Sequence, residues 1–227
     1  MTHSMKIVII NGSPRKDGAT AKILHVFEKQ FSTENDVQTE YIHIAERDIR
    51  PCTGCMSCYK TGKCCLVDEA DRISELIGAA DGIIIGTPTY ASNVSGQLKT
   101  LIDRGHFVIE QLLHGKYAIS VATGVNYGNK DAAKVLDKLF GYSGALISGS
   151  IVCNVPFQDN PCDDKMNRRI AKLSERFCRD IRTRKQYPLQ KLTHTVIFSF
   201  SIRPFVRSQG KGYQGVLDKW KSIGIKT

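Results

Sequence analysis

No stretch of this 227-residue chain is apolar for long enough to cross a bilayer as a helix. A span needs about 20 consecutive apolar residues. Internal repeats and low-complexity segments are absent as well. The apolar run at residues 7–10 is far shorter than a signal-peptide core, and no small-residue cleavage site follows it. A cytoplasmic protein is therefore expected, in a reducing compartment where thiols stay free or bind metal. The eight cysteines lack the even spread of a disulfide scaffold. Five fall between positions 52 and 65, while Cys153, Cys162 and Cys178 are scattered.

Hydrophobic residues make up 41% of the chain, enough for a sizeable core. The net charge of +10 is unevenly placed. Residues 165–227 hold 16 Lys and Arg against 3 Asp and Glu, whereas residues 1–164 hold 16 against 19. A mildly acidic body thus carries a basic tail, and the high overall charge does not imply nucleic-acid binding.

Two periodicities alternate along the body. Residues 6–12, 82–88, 116–124 and 145–155 read as buried strands, and 37–44 alternates as a strand does. Helical spacing of apolar residues marks 19–31, 68–80, 95–104, 129–140 and 165–184. Strands and helices in this order predict a parallel sheet covered on both faces. Ligands of such sheets bind beyond the carboxyl ends of the strands, at the switch in strand order.

The loops after three of those strands carry suitable chemistry. Residues 12–20 (GSPRKDGAT) offer the Ser13 and Thr20 hydroxyls, the Arg15 and Lys16 cations, and the free amides of a helix N-terminus, a combination that suits a phosphate. Neither a Walker A ending nor a dinucleotide fingerprint is present, and an ordinary turn with a solvated Arg-Lys pair fits the same residues. Residues 87–95 place Tyr90 among small polar residues, where a flat heteroaromatic ring could lie. The same loop could simply cap the next helix through Ser92 or Asn93. In residues 123–128, Gly124 and Gly128 suit either close approach to a ligand or a tight turn.

The segments at 12–20, 50–65 with Asp68, and 86–104 (GTPTYASNVSGQLKTLIDR) together resemble the NAD(P)H-dependent FMN reductase and iron–sulfur flavoprotein group of the flavodoxin-like superfamily. The resemblance covers about residues 5–185. It implies a doubly wound, five-stranded parallel sheet with a cysteine-rich insertion, spanning residues 1–187, and a C-terminal extension at 188–227. It also implies an FMN-dependent oxidoreductase using a nicotinamide cofactor as co-substrate. By this resemblance Ser13, Arg15, Ala19 and Thr20 hold the FMN phosphate. Pro88, Thr89, Tyr90, Ser92 and Asn93 line the ring, and Thr123, Gly124 and Gly128 close the other side. Ala19 departs from the pattern, since many relatives have Asn there; the backbone amide remains. The flavin carries the chemistry, so no catalytic side chain is expected, and His25, His43 and His114 read as incidental. A non-enzymatic carrier is the rival reading, although flavodoxins are usually acidic and lack the cysteine segment and the tail. An FMN-binding scaffold or sensor without turnover is a third.

Cys52, Cys55 and Cys58, spaced by two residues, can converge on one centre, and Cys64 follows five residues on with Cys65 adjacent. The spacing resembles the compact motif that binds a 4Fe–4S cluster in iron–sulfur flavoproteins. Free thiols or a labile redox pair fit it as well, and zinc fits it less well. In the tail, Ile197, Phe198, Phe200, Ile202, Phe205, Val206 and Trp220 follow a fold that is already complete. A partner subunit is expected to cover them, giving a homodimer or homotetramer. Contact with an anionic membrane surface is the less favoured alternative.

Overall fold

The computed structural model describes residues 4–156 and 159–226. Its centre is a five-stranded, all-parallel sheet in the order β2-β1-β3-β4-β5. The strands are β1 (Met5–Asn11), β2 (Val37–His43), β3 (Gly82–Pro88), β4 (Tyr117–Gly124) and β5 (Leu146–Asn154). Side chains alternate across a strand, and here both faces are covered. Ile7, Ile9 and Ile84 pack on α1 (Ala19–Phe31) and α6 (Asp164–Arg182) through Ile23, Phe27, Ile170 and Phe177. Val8, Ile10, Ile83 and Ile85 face the opposite layer. That layer comprises α3 (Glu69–Ala79), α4 (Gly96–Arg104) and α5 (Asn129–Tyr142). Burial on both sides explains why the strands read as continuous apolar runs. The elements expected from the pattern are all present, with ends shifted by at most two residues.

The chain leaves β1 for β2 on one side and reaches β3 on the other, so the switch point lies between β1 and β3. At the carboxyl edge, Asn11 pairs with His43 and with Gly86, and Pro88 pairs with Thr123. This register brings the loops after β1, β3 and β4 side by side.

The tail is helical. Its elements are α7 (Pro188–Ile197), a π-helical turn (Phe198–Ile202), α8 (Arg203–Ser208), a 3-10 turn (Gly210–Tyr213) and α9 (Gln214–Ser222). Pro204 has no N–H for the carbonyl four residues back, and the helical ladder is widened into the π turn just before it. Phe198, Ile202, Val206 and Trp220 are buried in a small core of their own with Tyr213 and Val216. Tyr59, Val108 and Ile109 of the body pack against it. The Trp220 indole N–H donates to the Ile109 carbonyl at 2.9 Å. Cover by a partner subunit, expected for these four residues, is thus supplied by the chain itself. Chain reversal through the Gly210 turn lets the tail fold back, which apolar content alone did not reveal. Phe200 and Phe205 do remain exposed, as do Leu189, Leu192 and Val196.

The tail's landing place is the cysteine segment, where a short helix, α2 (Ser57–Thr61), meets α9. A Cβ on Gly215 would come within 2.2 Å of the Gly62 amide nitrogen, so only glycine permits this approach. The Tyr59 and Tyr213 rings lie 4.8 Å apart above it.

Candidate functional site

At the carboxyl edge of the sheet lies a cleft of about 450 Å³. Ser13, Arg15, Ala19 and Thr20 line it from the first loop, Pro88, Thr89 and Tyr90 from the second, and Thr123 and Gly124 from the third. Ser92, Asn93 and Gly128 stand beside this lining rather than in it. Asn93 closes a tight turn, exchanging two backbone hydrogen bonds of 3.0 Å with Tyr90. The two residues between them, Ala91 and Ser92, are left-handed at φ 49° and 59°. That is the pattern of a type I′ turn, held here without glycine at a cost in backbone strain. Gly128 (φ 83°) packs against Ser92, where a Cβ would meet the Ser92 Oγ at 2.6 Å, so the second and third loops brace each other.

The first loop is built around its own polar groups. The Asn11 side-chain oxygen accepts from the Ser13 amide, and the Ser13 hydroxyl oxygen accepts from the Arg15 amide, each at 3.0 Å. Helix α1 opens at Gly18 with no side-chain cap, so the amides of its first turn face the cleft unpaired by a cap. Such a helix start is an anion cradle. Thr20 Oγ1 lies 2.7 Å from Thr123 Oγ1, tying the helix start to the end of β4. The side-chain oxygen of Thr89, a residue of the cleft lining, is buried without a hydrogen-bond partner among the described residues. A buried orphan hydroxyl is costly unless a ligand completes it. These features fit a flavin phosphate and ring. Helix α4 is capped by Ser95, not by Ser92 or Asn93: its hydroxyl accepts from the Leu98 amide at 3.2 Å and donates to the Gly12 carbonyl.

His43, which reads as incidental from its place in the sequence, belongs to this architecture. It is buried, and its Nε2 lies 2.8 Å from the Ser13 carbonyl oxygen, fixing the loop from beneath. Only the pairing of His43 with Asn11 at the strand ends reveals the contact. The loop after β5 also reaches the cleft, through Val155, Pro156 and Asp159.

The far end of α4 organises the cysteine segment. Arg104 and Asp68, whose side chains are 1% and 0% exposed, form a bidentate pair at 2.7 and 2.9 Å. Arg104 also donates to the Arg50 carbonyl at 2.7 Å, so both ends of the segment meet at this one pair. Burial would raise the Asp68 carboxyl, but Arg104 and the amides of Arg50 and Ala70 hold it down at about 2. Within the segment all five thiols are free. Cys55 Sγ lies 3.2 Å from Cys65 Sγ. The Ser57 amide and then the Cys65 thiol hold Cys55 below the usual thiol range, and hydrogen bonding to Cys55 raises Cys65. Cys58 sits beside His106 and Cys64 beside Arg104. Burial opposes charge on His106, yet the Cys58 thiol and the Glu110 carboxylate, 2.9 Å away, raise it to about 10. Among the described residues, no three of His, Cys, Asp and Glu are drawn together as a metal site. Four sulfur donors on one short segment, two of them beside cations, nevertheless match the chemistry of a thiolate-held cluster.

Comparison with known proteins bears on the family and the fold. Residues 5–159 match the family model of NADPH-dependent FMN reductase. The chain belongs to this family of FMN-dependent oxidoreductases. It is 34% identical over 224 residues to an iron–sulfur flavoprotein of Clostridioides difficile strain 630, covering 97% of this chain and 100% of that protein. An iron–sulfur flavoprotein of Methanocaldococcus jannaschii is 33% identical over 150 residues, which are 64% of this chain and 76% of that one. Among solved structures, an NADH:FMN oxidoreductase in its apo form aligns with a TM-score of 0.57 at 20% identity, over 82% of this chain and 94% of that one. A flavodoxin from the domain Archaea aligns at 0.54 and 13%, over 78% and 99%. At such identities these structures bear on the fold, which is flavodoxin-like. Among the described residues no helix is long and apolar enough to cross a membrane.

Proposed function

We propose that the chain binds FMN in the carboxyl-edge cleft, takes hydride from a nicotinamide dinucleotide, and passes electrons to an acceptor by way of the cysteine segment. The carrying observation is the cleft itself: an uncapped helix start at one end, and an orphan Thr89 hydroxyl on the wall formed by Pro88, Thr89 and Tyr90. When bound, FMN supplies the capacity to accept two electrons and release them singly or together. Ser13, Arg15 and the amides of Ala19 and Thr20 hold its phosphate. Pro88, Thr89 and Tyr90 stand along one side of the ring, with Ser92 and Asn93 setting their turn. Thr123 and Gly124 stand along the other, with Gly128 bracing the loops. Tyr90, 48% exposed at the mouth, offers a stacking surface for the nicotinamide. No side chain of the cleft is required to move a proton, so rate rests on positioning.

Two variants test the phosphate assignment. Arg15→Ala should weaken FMN binding by about 1.5–3 kcal/mol, the range for a charged hydrogen bond, and Thr20→Val should weaken it too. Unchanged affinity in both defeats the assignment. Anaerobic stopped-flow mixing with NADPH or NADH should bleach the bound flavin, and Tyr90→Ala should slow the bleaching or weaken FMN binding. Absence of reduction by either nucleotide would favour a carrier.

Cys52, Cys55, Cys58 and Cys64 are the residues that would hold a 4Fe–4S cluster, with Arg104 and His106 offsetting thiolate charge. The relatives named iron–sulfur flavoproteins support this reading. Serine at any one of the four should remove or destabilise bound iron and leave FMN in place, while Cys65→Ser should keep both. Anaerobically reconstituted protein with FMN but no acid-labile sulfide refutes the cluster. The exposed stripe of Leu189, Leu192, Val196 and Phe200 supports a homodimer or homotetramer. Light scattering on a Leu192→Glu, Phe200→Glu variant should report a smaller species than the parent protein; an unchanged mass removes the stripe from the interface.

A further inference from the structure

At the opposite edge of the sheet, before β3, β4 and β5 begin, lies a second cavity of about 570 Å³. Strands of seven to nine residues separate it from the carboxyl-edge cleft by roughly 20–25 Å. Basic groups reach it from several elements. Lys116 and His114 precede β4, Arg184 follows α6, and Lys191 and His194 project from α7. Asp81 is the one described carboxylate in its lining, and one Asp81 oxygen is taken by the Lys6 amide at 2.8 Å. Among the described residues, Lys116, Arg184 and Lys191 make no ion pair with any carboxylate.

The cations are held in place by neutral groups. Lys116 Nζ donates to the Gly78 and Ala80 carbonyls at 2.7 and 2.6 Å. Lys191 contacts the Gln186 side-chain oxygen. Helix α7 is fixed across the cavity by Gln190, whose side-chain oxygen accepts from the Ile147 amide at 2.7 Å and whose Nε2 donates to the Ile147 carbonyl at 3.1 Å. Arg184 stands at φ 48°, just beyond the α6 C-terminus, where its amide and that of Lys185 close the helix on Ile181 and Asp180. Glycine or asparagine is the ordinary residue in that left-handed position. An arginine there accepts strain, and Arg184 forms part of the cavity wall. The two imidazoles lie 6.0 Å apart. Burial and the Lys191 charge hold His114 below the usual histidine range, and burial and His114 do the same to His194.

We infer that this cavity is a second ligand site, for a phosphate-bearing anion held by Lys116, Arg184 and Lys191. Three cations against the single carboxylate of Asp81 leave a surplus of positive charge that calls for a ligand with more than one negative charge, and a guanidinium beside ammonium groups suits phosphate oxygens. The volume falls within the range of small-molecule sites. The inference is independent of the flavin reading, because it uses none of the cleft residues.

The test uses the FMN-loaded protein, so that the phosphate cradle of the first loop is already filled. Isothermal titration with pyrophosphate at constant ionic strength should show saturable binding, and acetate should show none. Arg184→Gly places the residue preferred by the backbone at that position. It should leave the melting temperature unchanged or higher while weakening pyrophosphate about tenfold or more. Lys191→Gln should weaken it likewise, and neither variant should release FMN. In histidine NMR titrations, pyrophosphate should raise the pKa values of His114 and His194. If free pyrophosphate does not bind but phosphatidylglycerol vesicles do, and Arg184→Gly abolishes flotation with them, the phosphate belongs to a lipid headgroup. Equal binding by acetate, undiminished binding in both variants, or no binding to either probe overturns the site.

Discussion

Replacing Asp68 by asparagine is expected to cost the fold about 3–5 kcal/mol, because it strands the buried Arg104 guanidinium without its counter-charge. The side chains are almost fully enclosed, so water cannot make up the loss. The same change turns one of the two oxygens that accept from the Arg50 and Ala70 amides into a donor. The cysteine segment should therefore loosen before the sheet does, and proteolysis should cut between residues 50 and 68 first. Urea denaturation gives the energy; a loss below about 1 kcal/mol, typical of an exposed pair, rejects the clamp. The pair also sets an acid limit. Because the Asp68 carboxyl is held at about 2 in the folded chain, below its unfolded value of about 3.9, its contribution is complete above about pH 4 and is lost as pH falls through 2.

Trp220→Ala should cost about 3–5 kcal/mol, the range for emptying a large aromatic site in a core. The indole is fully buried, packs edge-on to Phe198 at 4.9 Å, and spends its N–H on Ile109. Since α9 sits on α2, the loss should extend to the cysteine segment and raise the reactivity of Cys58 and Cys64 toward a thiol reagent. Faster labelling of all eight cysteines alike would mean general unfolding, and unchanged labelling would mean that the tail does not brace the segment.

The sheet and its helices were legible because each element announces itself locally. The apolar runs at residues 82–88 and 116–124 sit in the middle of a parallel sheet, and the apolar face of α6 repeats at helical spacing. The three loops were found by position, because strand ends are where such folds bind. What stayed hidden is what depends on contacts distant in sequence. His43 looks like any surface histidine until β2 pairs with β1 and sets it under Ser13. Arg104 reads as the basic end of an amphipathic helix until Asp68 comes round to meet it. The tail's aromatics announced that something must cover them, but not that the Gly210 turn would let the chain provide part of the cover itself. Ser95 was passed over as a cap because Ser92 and Asn93 precede it, and those two are spent on the left-handed turn.

Helix α4 touches both halves of the chemistry. At its start, Ser95 grips the carbonyl of Gly12 beneath the flavin loop, and at its end Arg104 grips the frame of the cysteine segment. Nine residues at a rise of about 1.5 Å each make a strut of roughly 14 Å. The span between the first loop and the cysteine segment is thereby dictated by a helical rod, not by a loop. Inserting one residue into the rod would swing Arg104 by about 100° around the axis and detach one from the other. Extra residues around position 125, in an exposed loop, would change the shape of the pocket while leaving that span intact.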